Sequence, residues 1–378
     1  MKTAKVMTES RSARNSWLDV CRASAIILVV FGHGAGFVQH LFPDVVEAFK
    51  FSGFIGVELF FVLSGFLIGQ MLLRYAESDS PDWLKTFYLR RMFRTLPNYA
   101  LFLALNVLLA LFAIRPIWSD RFWEYLLFVQ NITSPHPNFF PEAWSLAIEE
   151  LFYAGFPLCF LALSWLFGVS RRMAILVTAL SVIGASILIR GLMAFDTASW
   201  DEGVRKIAIF RFDALMVGVL SGWLHQSQSR LSNQAVARAL VVVLLFCTIY
   251  VSMTPLEAMN DSYFAKTFLF TFTSLGCAGL LMAGIDVRLP RAFGATVSLI
   301  ARISYSAYLL NMPVMVLLNQ FLRDGRSSGA GLLLLFLLLT FSLALIVYRN
   351  YEALFYRYRD SYVPDIRQTS TSDLRRAA

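Results

Sequence analysis

Leu18–Phe37 reads LDVCRASAIILVVFGHGAGF, a run long and apolar enough to cross a bilayer that nonetheless carries Arg22 and His33. Eleven residues separate the two. On a helix that spacing is about 16 Å of rise, and eleven steps of about 100° return both side chains to nearly one face. An ionisable group inside a spanning segment costs about 2.5–3.5 kcal/mol on insertion scales, so it faces the protein interior and marks a functional position. One face of this first helix therefore presents a fixed cation at one depth and a titratable base at another.

The surrounding chain has the composition of a membrane protein. Of its 378 residues 57% are hydrophobic and 15% charged, with a mean hydropathy of +0.61. The net charge of +8 fits nucleic acid only superficially, because cytoplasmic loops of a polytopic protein are basic by the positive-inside rule. Cys21, Cys159, Cys247 and Cys277 all fall in apolar segments without CxxC spacing and read as small core residues, with no metal site. The polar, basic start lacks an A-x-A cleavage pattern after the first apolar run, so that run reads as a retained helix.

Apolar runs near 20 residues give the expected fold class: an all-α polytopic membrane protein of about ten transmembrane helices, both termini cytoplasmic. The spans fall at about 17–38, 52–73, 96–114, 143–167, 173–193, 206–225, 236–253, 266–285, 297–322 and 329–348, and Phe122–Ile132 is too short to cross. With the N-terminus inside, twenty-one Lys and Arg lie in inner segments, nine in outer ones and three within helices, which sets the orientation. Residues 1–16 form a cytoplasmic N-terminal segment, 17–350 the membrane domain and 351–378 a cytoplasmic tail, disordered from Arg357.

This topology fixes approximate depths. His33 lies about two thirds of the way across; Glu58, Glu149 and Glu150, and Arg211 with Asp213, arrive from the outer side to a similar layer. A carboxylate from Glu58 or Glu149 would orient the imidazole. Arg211 and Asp213 read most simply as an internal ion pair, and Glu58 also as a helix-packing residue. Arg90, Arg91 and Arg94 cluster with Arg22 toward the cytoplasm, a set suited to phosphate or simply a topology signal. Trp118, Trp123, Phe139, Phe140 and Trp200 suit either a sugar ring or the membrane interface. Gly53, Gly56, Ser64, Gly65 and Gly69 suit close helix packing, and Asn131-Ile132-Thr133 matches a glycosylation acceptor by chance frequency.

The Arg22–His33 spacing, GVELFFVLSGFLI (56–68), FYLRRMFRTLP (87–97), WSLAIEELFY (144–153), RFDAL (211–215) and ISYSAYLLNMPV (303–314) together resemble the ordered motifs of the acyltransferase-3 family. The resemblance covers about 20–350. It implies an integral membrane O-acyltransferase moving an acyl group, usually acetyl, from cytoplasmic acyl-CoA to a hydroxyl of an envelope glycan or lipid-linked sugar. Acyl-CoA is then a co-substrate rather than a tightly bound cofactor, and the partners are acyl-CoA, the glycan acceptor and membrane lipids, not nucleic acid. The setting implied is a bacterial inner membrane. By the same resemblance Arg22 and His33 are essential. Two features depart from the family: Asn311 stands where a histidine is common, and no C-terminal hydrolase-like domain is expected.

The expected site is therefore His33, Glu149 and Glu58 for catalysis and Arg22, Arg90, Arg91 and Arg94 for the nucleotide phosphates. Trp144, Ser145, Arg211, Asp213, Tyr305 and Asn311 are expected at the acceptor or the polarised carbonyl. A pantetheine arm on the order of 15 to 20 Å long matches the rise from Arg22 to His33. His33 as general base is the expected chemistry, with an acyl-histidine as the alternative. The rival class is a proton-coupled transporter or flippase using the same buried groups as a relay.

Overall fold

The computed structural model describes residues 15–43, 46, 49, 51–77, 81–112, 114, 118–227, 230–322 and 329–363. The expectations for residues 1–14 and 364–378, and for Lys50, Arg115, Arg323 and Arg326, lie outside the described residues. Fourteen helices follow in order: α1 Ser16–Gly34, α2 Ser52–Ala76, α3 Trp83–Leu111, α4 Phe122–Leu127, α5 Ala143–Phe167, α6 Arg171–Met193, α7 Phe212–Ser227 and α8 Arg230–Met253. The remainder are α9 Leu256–Asp261, α10 Tyr263–Thr267, α11 Leu269–Ala283, α12 Arg291–Leu322, α13 Gly329–Val347 and α14 Ala353–Tyr362. No strand occurs among the described residues, and the protein is an all-α, multi-pass membrane protein.

Eight helices among the described residues are long and apolar enough to span. Two of the ten expected spans are shorter. α7 has 16 residues and α11 has 15, and each follows a broken approach: Asp201–Arg205 and Ala208–Phe210 before α7, α9 and α10 before α11. Irregular backbone at such a depth needs partners for its amides. Here Ala208 N–H donates to Asn131 O at 2.8 Å and Ile209 N–H to Ile132 O at 3.3 Å, so the segment before α5 seals the break.

α2 is the central element, packed against α1, α7 and α11. Small residues allow this approach. A Cβ on Gly65 would strike the Leu215 carbonyl of α7, one on Gly218 the Val62 carbonyl of α2, and one on Gly56 would meet Ala25 O of α1 at 2.6 Å. α12 lies against both α1 and α13, which brings His33 of α1 beside Asn311 of α12.

α3 starts at Trp83, well before the span expected from residue 96, because Leu84, Phe87 and Tyr88 continue its apolar face and make FYLRRMFRTLP helical. The chain after α13 also differs from the expected tail. It turns through a π-helical segment, Tyr348–Glu352, into α14, which docks on α3, so residues 357–362, expected to be disordered, are helical. Arg90 explains part of that order: it donates to Val363 O at 2.6 Å and pairs with Asp360 at 3.4 Å.

Candidate active site

His33 closes the last turn of α1, with Nδ1 2.6 Å from Oδ1 of Asn311 on α12. The Asn311 amide has a fixed orientation. Its Nδ2 donates to the Tyr308 carbonyl and, at 3.4 Å, to Ala307 O, so Oδ1 is left facing the ring as acceptor. The imidazole must then carry its proton on Nδ1, and Nε2 keeps a lone pair. Asn311 is fully buried while His33 is exposed. Neither carboxylate expected to orient His33 does so: Glu58 accepts from Arg211 and Ser274, and Glu149 from Tyr153.

A cleft enclosing about 750 Å³ of atom-free space, open solvent at its mouth included, runs between α1, α2, α3, α5 and α12. Arg22, Arg91 and Arg94 line it together with Glu149 and Tyr153, and Ser145, Tyr305 and Tyr308 belong to the same wall. Along α5 the lining extends from Ser145 to Tyr153, about 12 Å at 1.5 Å per residue. Tyr153 donates to Glu149 Oε2 at 3.1 Å, is hydrogen-bonded to Ser64, and carries the Arg91 guanidinium 5.6 Å above its ring. Arg22 pairs with Asp19 at 3.6 Å. At the other end Ser145 Oγ and Tyr308 OH are 2.6 Å apart, and Tyr308 lies one helical turn from Asn311. The cleft thus has cations at one end and hydroxyls at the other, and His33 stands just beyond the hydroxyls. Arg90 is outside it, engaged with the chain end.

A second set of charges does not line this cleft. Arg211 is ion-paired with Glu58, whose other oxygen accepts from Ser274 at 2.9 Å. Arg190 donates to Asp213 at 2.8 Å, to Thr271 at 2.7 Å and to Thr267 O at 2.9 Å, while Thr271 donates to Asp213 at 2.6 Å. The expected Arg211–Asp213 pair is therefore exchanged for two crosswise pairs. Arg211 stands just before α7 while Asp213 lies in its first turn, and each finds its partner on another element. Arg211 stacks over Phe270 at 4.2 Å from the ring centre and does not line the cleft.

Trp144 is buried and covered by Arg205 at 4.9 Å. Phe139, Phe140 and Trp200 are core residues, whereas Trp118 and Trp123 are more than half exposed. Asn131 is fully buried, donating to Trp144 O at 3.0 Å and Lys206 O at 2.6 Å, which removes it as a glycosylation acceptor. Cys21, Cys247 and Cys277 are buried as expected of core residues; Cys159 is exposed. His136, in the loop before α5, bonds Phe140 O at 2.9 Å, and burial pushes its pKa down to about 4. No group of three or more His, Cys, Asp or Glu poised to hold a metal occurs among the described residues.

Four important residues carried no weight in the sequence reading. Arg190 counted as an outer loop cation, although its place in the last turn of an apolar helix was the signal for burial. Arg205 and Tyr308 lay inside or beside quoted motifs, and Glu352 lay in the supposed tail.

The fold and the charged cleft define a multi-pass membrane protein with an internal polar site. The model of the acyltransferase-3 family, described as an acyltransferase domain, matches residues 15–349, and the chain belongs to that family: it is a membrane acyltransferase. It is 25% identical over 418 residues to the Regulator of hypoxia-inducible factor 1 of Caenorhabditis elegans, covering 93% of this chain and 82% of that protein. It is 30% identical over 156 residues to the peptidoglycan O-acetyltransferase OatA of Listeria monocytogenes, covering 37% of this chain and 23% of that protein. A putative O-acetyltransferase of Staphylococcus aureus is 30% identical over 192 residues, 47% of this chain and 29% of that protein. The chain spans about a quarter of the length of these bacterial relatives. No solved structure matches it.

Proposed function

We propose that this membrane acyltransferase transfers an acetyl group from cytoplasmic acetyl-CoA to a hydroxyl of a cell-envelope glycan, in a bacterial inner membrane with both termini cytoplasmic. The observation that carries this reading is the cleft itself, with Arg22, Arg91 and Arg94 at one end and the Ser145–Tyr308 pair at the other, one turn from His33 and Asn311. Guanidinium groups bind phosphates bidentately, so the three arginines take the nucleotide end of coenzyme A. The pantetheine arm then lies along the cleft and brings the thioester carbonyl to the Ser145 and Tyr308 hydroxyls, which polarise it. Arg211 is held by Glu58 and Asn311 by His33, which leaves the carbonyl to these hydroxyls.

On the exposed side of His33, Nε2 removes the proton of a sugar hydroxyl as its oxygen attacks the carbonyl carbon. The C–S bond breaks, and the coenzyme A thiolate is the leaving group and takes up a proton as it departs. Asn311 replaces a carboxylate as the group that fixes the tautomer, so no anion is needed beside the ring. The buried carboxylates Glu58 and Asp213 are neutralised by Arg211 and Arg190, which supports an enzyme over a proton relay through them.

Comparing envelope glycans by mass between cells carrying the wild-type chain and cells carrying His33→Ala tests the reading. One acetyl group per repeat, present only in the wild type at equal expression, is the expected result. Unchanged acetylation in the variant removes His33 from the chemistry.

A further inference from the structure

Glu352 lies in the π-helical segment after α13, yet it is only 3% exposed. The π-helical segment explains how it comes to be buried. Ala353 N–H reaches back five residues to Tyr348 O, and the extra residue rotates the following side chains relative to α13, turning Tyr351 and Glu352 onto α3. Tyr351 OH donates to Pro97 O at 3.1 Å. A buried carboxylate is stable only with its lone pairs satisfied, and Glu352 has three donors from three elements. Asn98 Nδ2 of α3 donates at 2.9 Å, Ser306 Oγ of α12 at 2.7 Å, and the Tyr356 hydroxyl of α14 completes the set.

Two of these donors adjoin the cleft. Asn98 is one helical turn from Arg94, and Ser306 follows Tyr305, whose hydroxyl donates to Thr95 O at 3.1 Å. Glu352 and Tyr356 lie within electrostatic range of Arg94, as do Tyr153 and Glu149. The carboxylate therefore joins the turn bearing Arg94 to the α12 wall across the cationic end of the cleft.

We propose that Glu352 is a positioning residue for donor binding: it holds Arg94 toward the phosphates of coenzyme A and, through Asn98 and Ser306, sets the width of that end of the cleft. The proposal rests on the reading that the arginine end of the cleft takes coenzyme A. It makes the segment after α13 part of the active site rather than a tail.

The test is equilibrium binding of coenzyme A to the purified full chain in lipid nanodiscs, for wild type, Glu352→Gln, Arg94→Gln and the double variant. Glu352→Gln keeps the volume and part of the hydrogen bonding but removes the charge within electrostatic range of Arg94. It raises Kd about tenfold, the loss of roughly one charge-assisted hydrogen bond. In the Arg94→Gln background the same change alters Kd less than about twofold, because the group it acts through is gone. A full additional tenfold loss in the double variant, or wild-type affinity in Glu352→Gln, overturns the proposal. If Glu352→Gln does not yield folded protein, Tyr356→Phe provides the same reading. It removes a donor to Glu352 and weakens binding about threefold, and that effect also disappears beside Arg94→Gln. A wild-type protein that binds no coenzyme A instead removes the donor reading itself, and this assignment with it.

Discussion

Two groups of arginine and carboxylate lie within the bundle and differ in what surrounds them. Arg211 with Glu58 and Arg190 with Asp213 are sealed between α2, α6, α7 and α11, and every one of these side chains is at most 2% exposed. Arg22, Arg91 and Arg94, with Glu149, are only partly buried and border atom-free space. A charge matched in place by a fixed partner holds helices together. A charge whose side chain lines a cleft is available to a ligand, and burial alone does not distinguish the two.

The comparison breaks first at His33, which belongs to neither group. His33→Ala lowers acyl transfer about 10²- to 10⁴-fold at unchanged folding, the range expected for losing a general base. Initial rates on purified, correctly assembled protein measure it. Asn311→Ala keeps the base but frees its tautomer, and its smaller loss appears with an altered pH profile.

Next in size is the sealed layer. Glu58→Ala or Arg211→Ala leaves an uncompensated buried charge and destabilises the fold by about 3–5 kcal/mol, read as reduced melting temperature and yield in nanodiscs. Glu58→Leu with Arg211→Met recovers much of that loss. Recovery of folding without recovery of activity would show that this layer also serves the reaction and blur the distinction.

Arg91→Gln sharpens the contrast from the cleft side. It leaves the melting temperature within about 1 kcal/mol of wild type and weakens coenzyme A binding about tenfold. A large stability loss would move Arg91 into the structural group.

The smallest effect lies outside both. His136 is buried neutral with a pKa near 4, below the ordinary value of 6.5. Between these values the unfolded chain binds the extra proton, so the stability His136 contributes is complete above about pH 6.5 and declines as pH falls toward 4. His136→Gln flattens that acid limb in a melting-temperature series across pH 4–7, and an unchanged limb assigns the decline to other groups.

Much of the membrane architecture was legible because apolar length is a local property. Spans such as 143–167 and 329–348 match their helices closely, as single-helix bilayer crossing requires. The two short helices, α7 and α11, escaped because a break at membrane depth depends on remote partners such as the Asn131 and Ile132 carbonyls. In the site, the depth argument placed His33, Glu58, Glu149 and Arg211 in comparable layers. It did not determine which neighbours they would meet, since depth leaves rotation about each helix axis free.

The sequence by itself determined the composition of the membrane domain, the costly polar residues within it and the family to which they belong, because each is encoded in runs and motifs read along the chain. Only the tertiary structure decided that Asn311 holds His33, that Glu58 meets Arg211 and Asp213 meets Arg190, and that Glu352 folds back onto Asn98 and Ser306. Those pairings join residues up to 278 positions apart. They are set by the rotation of helices against one another, through close contacts such as Gly65 on Leu215, and sequence spacing does not encode that rotation.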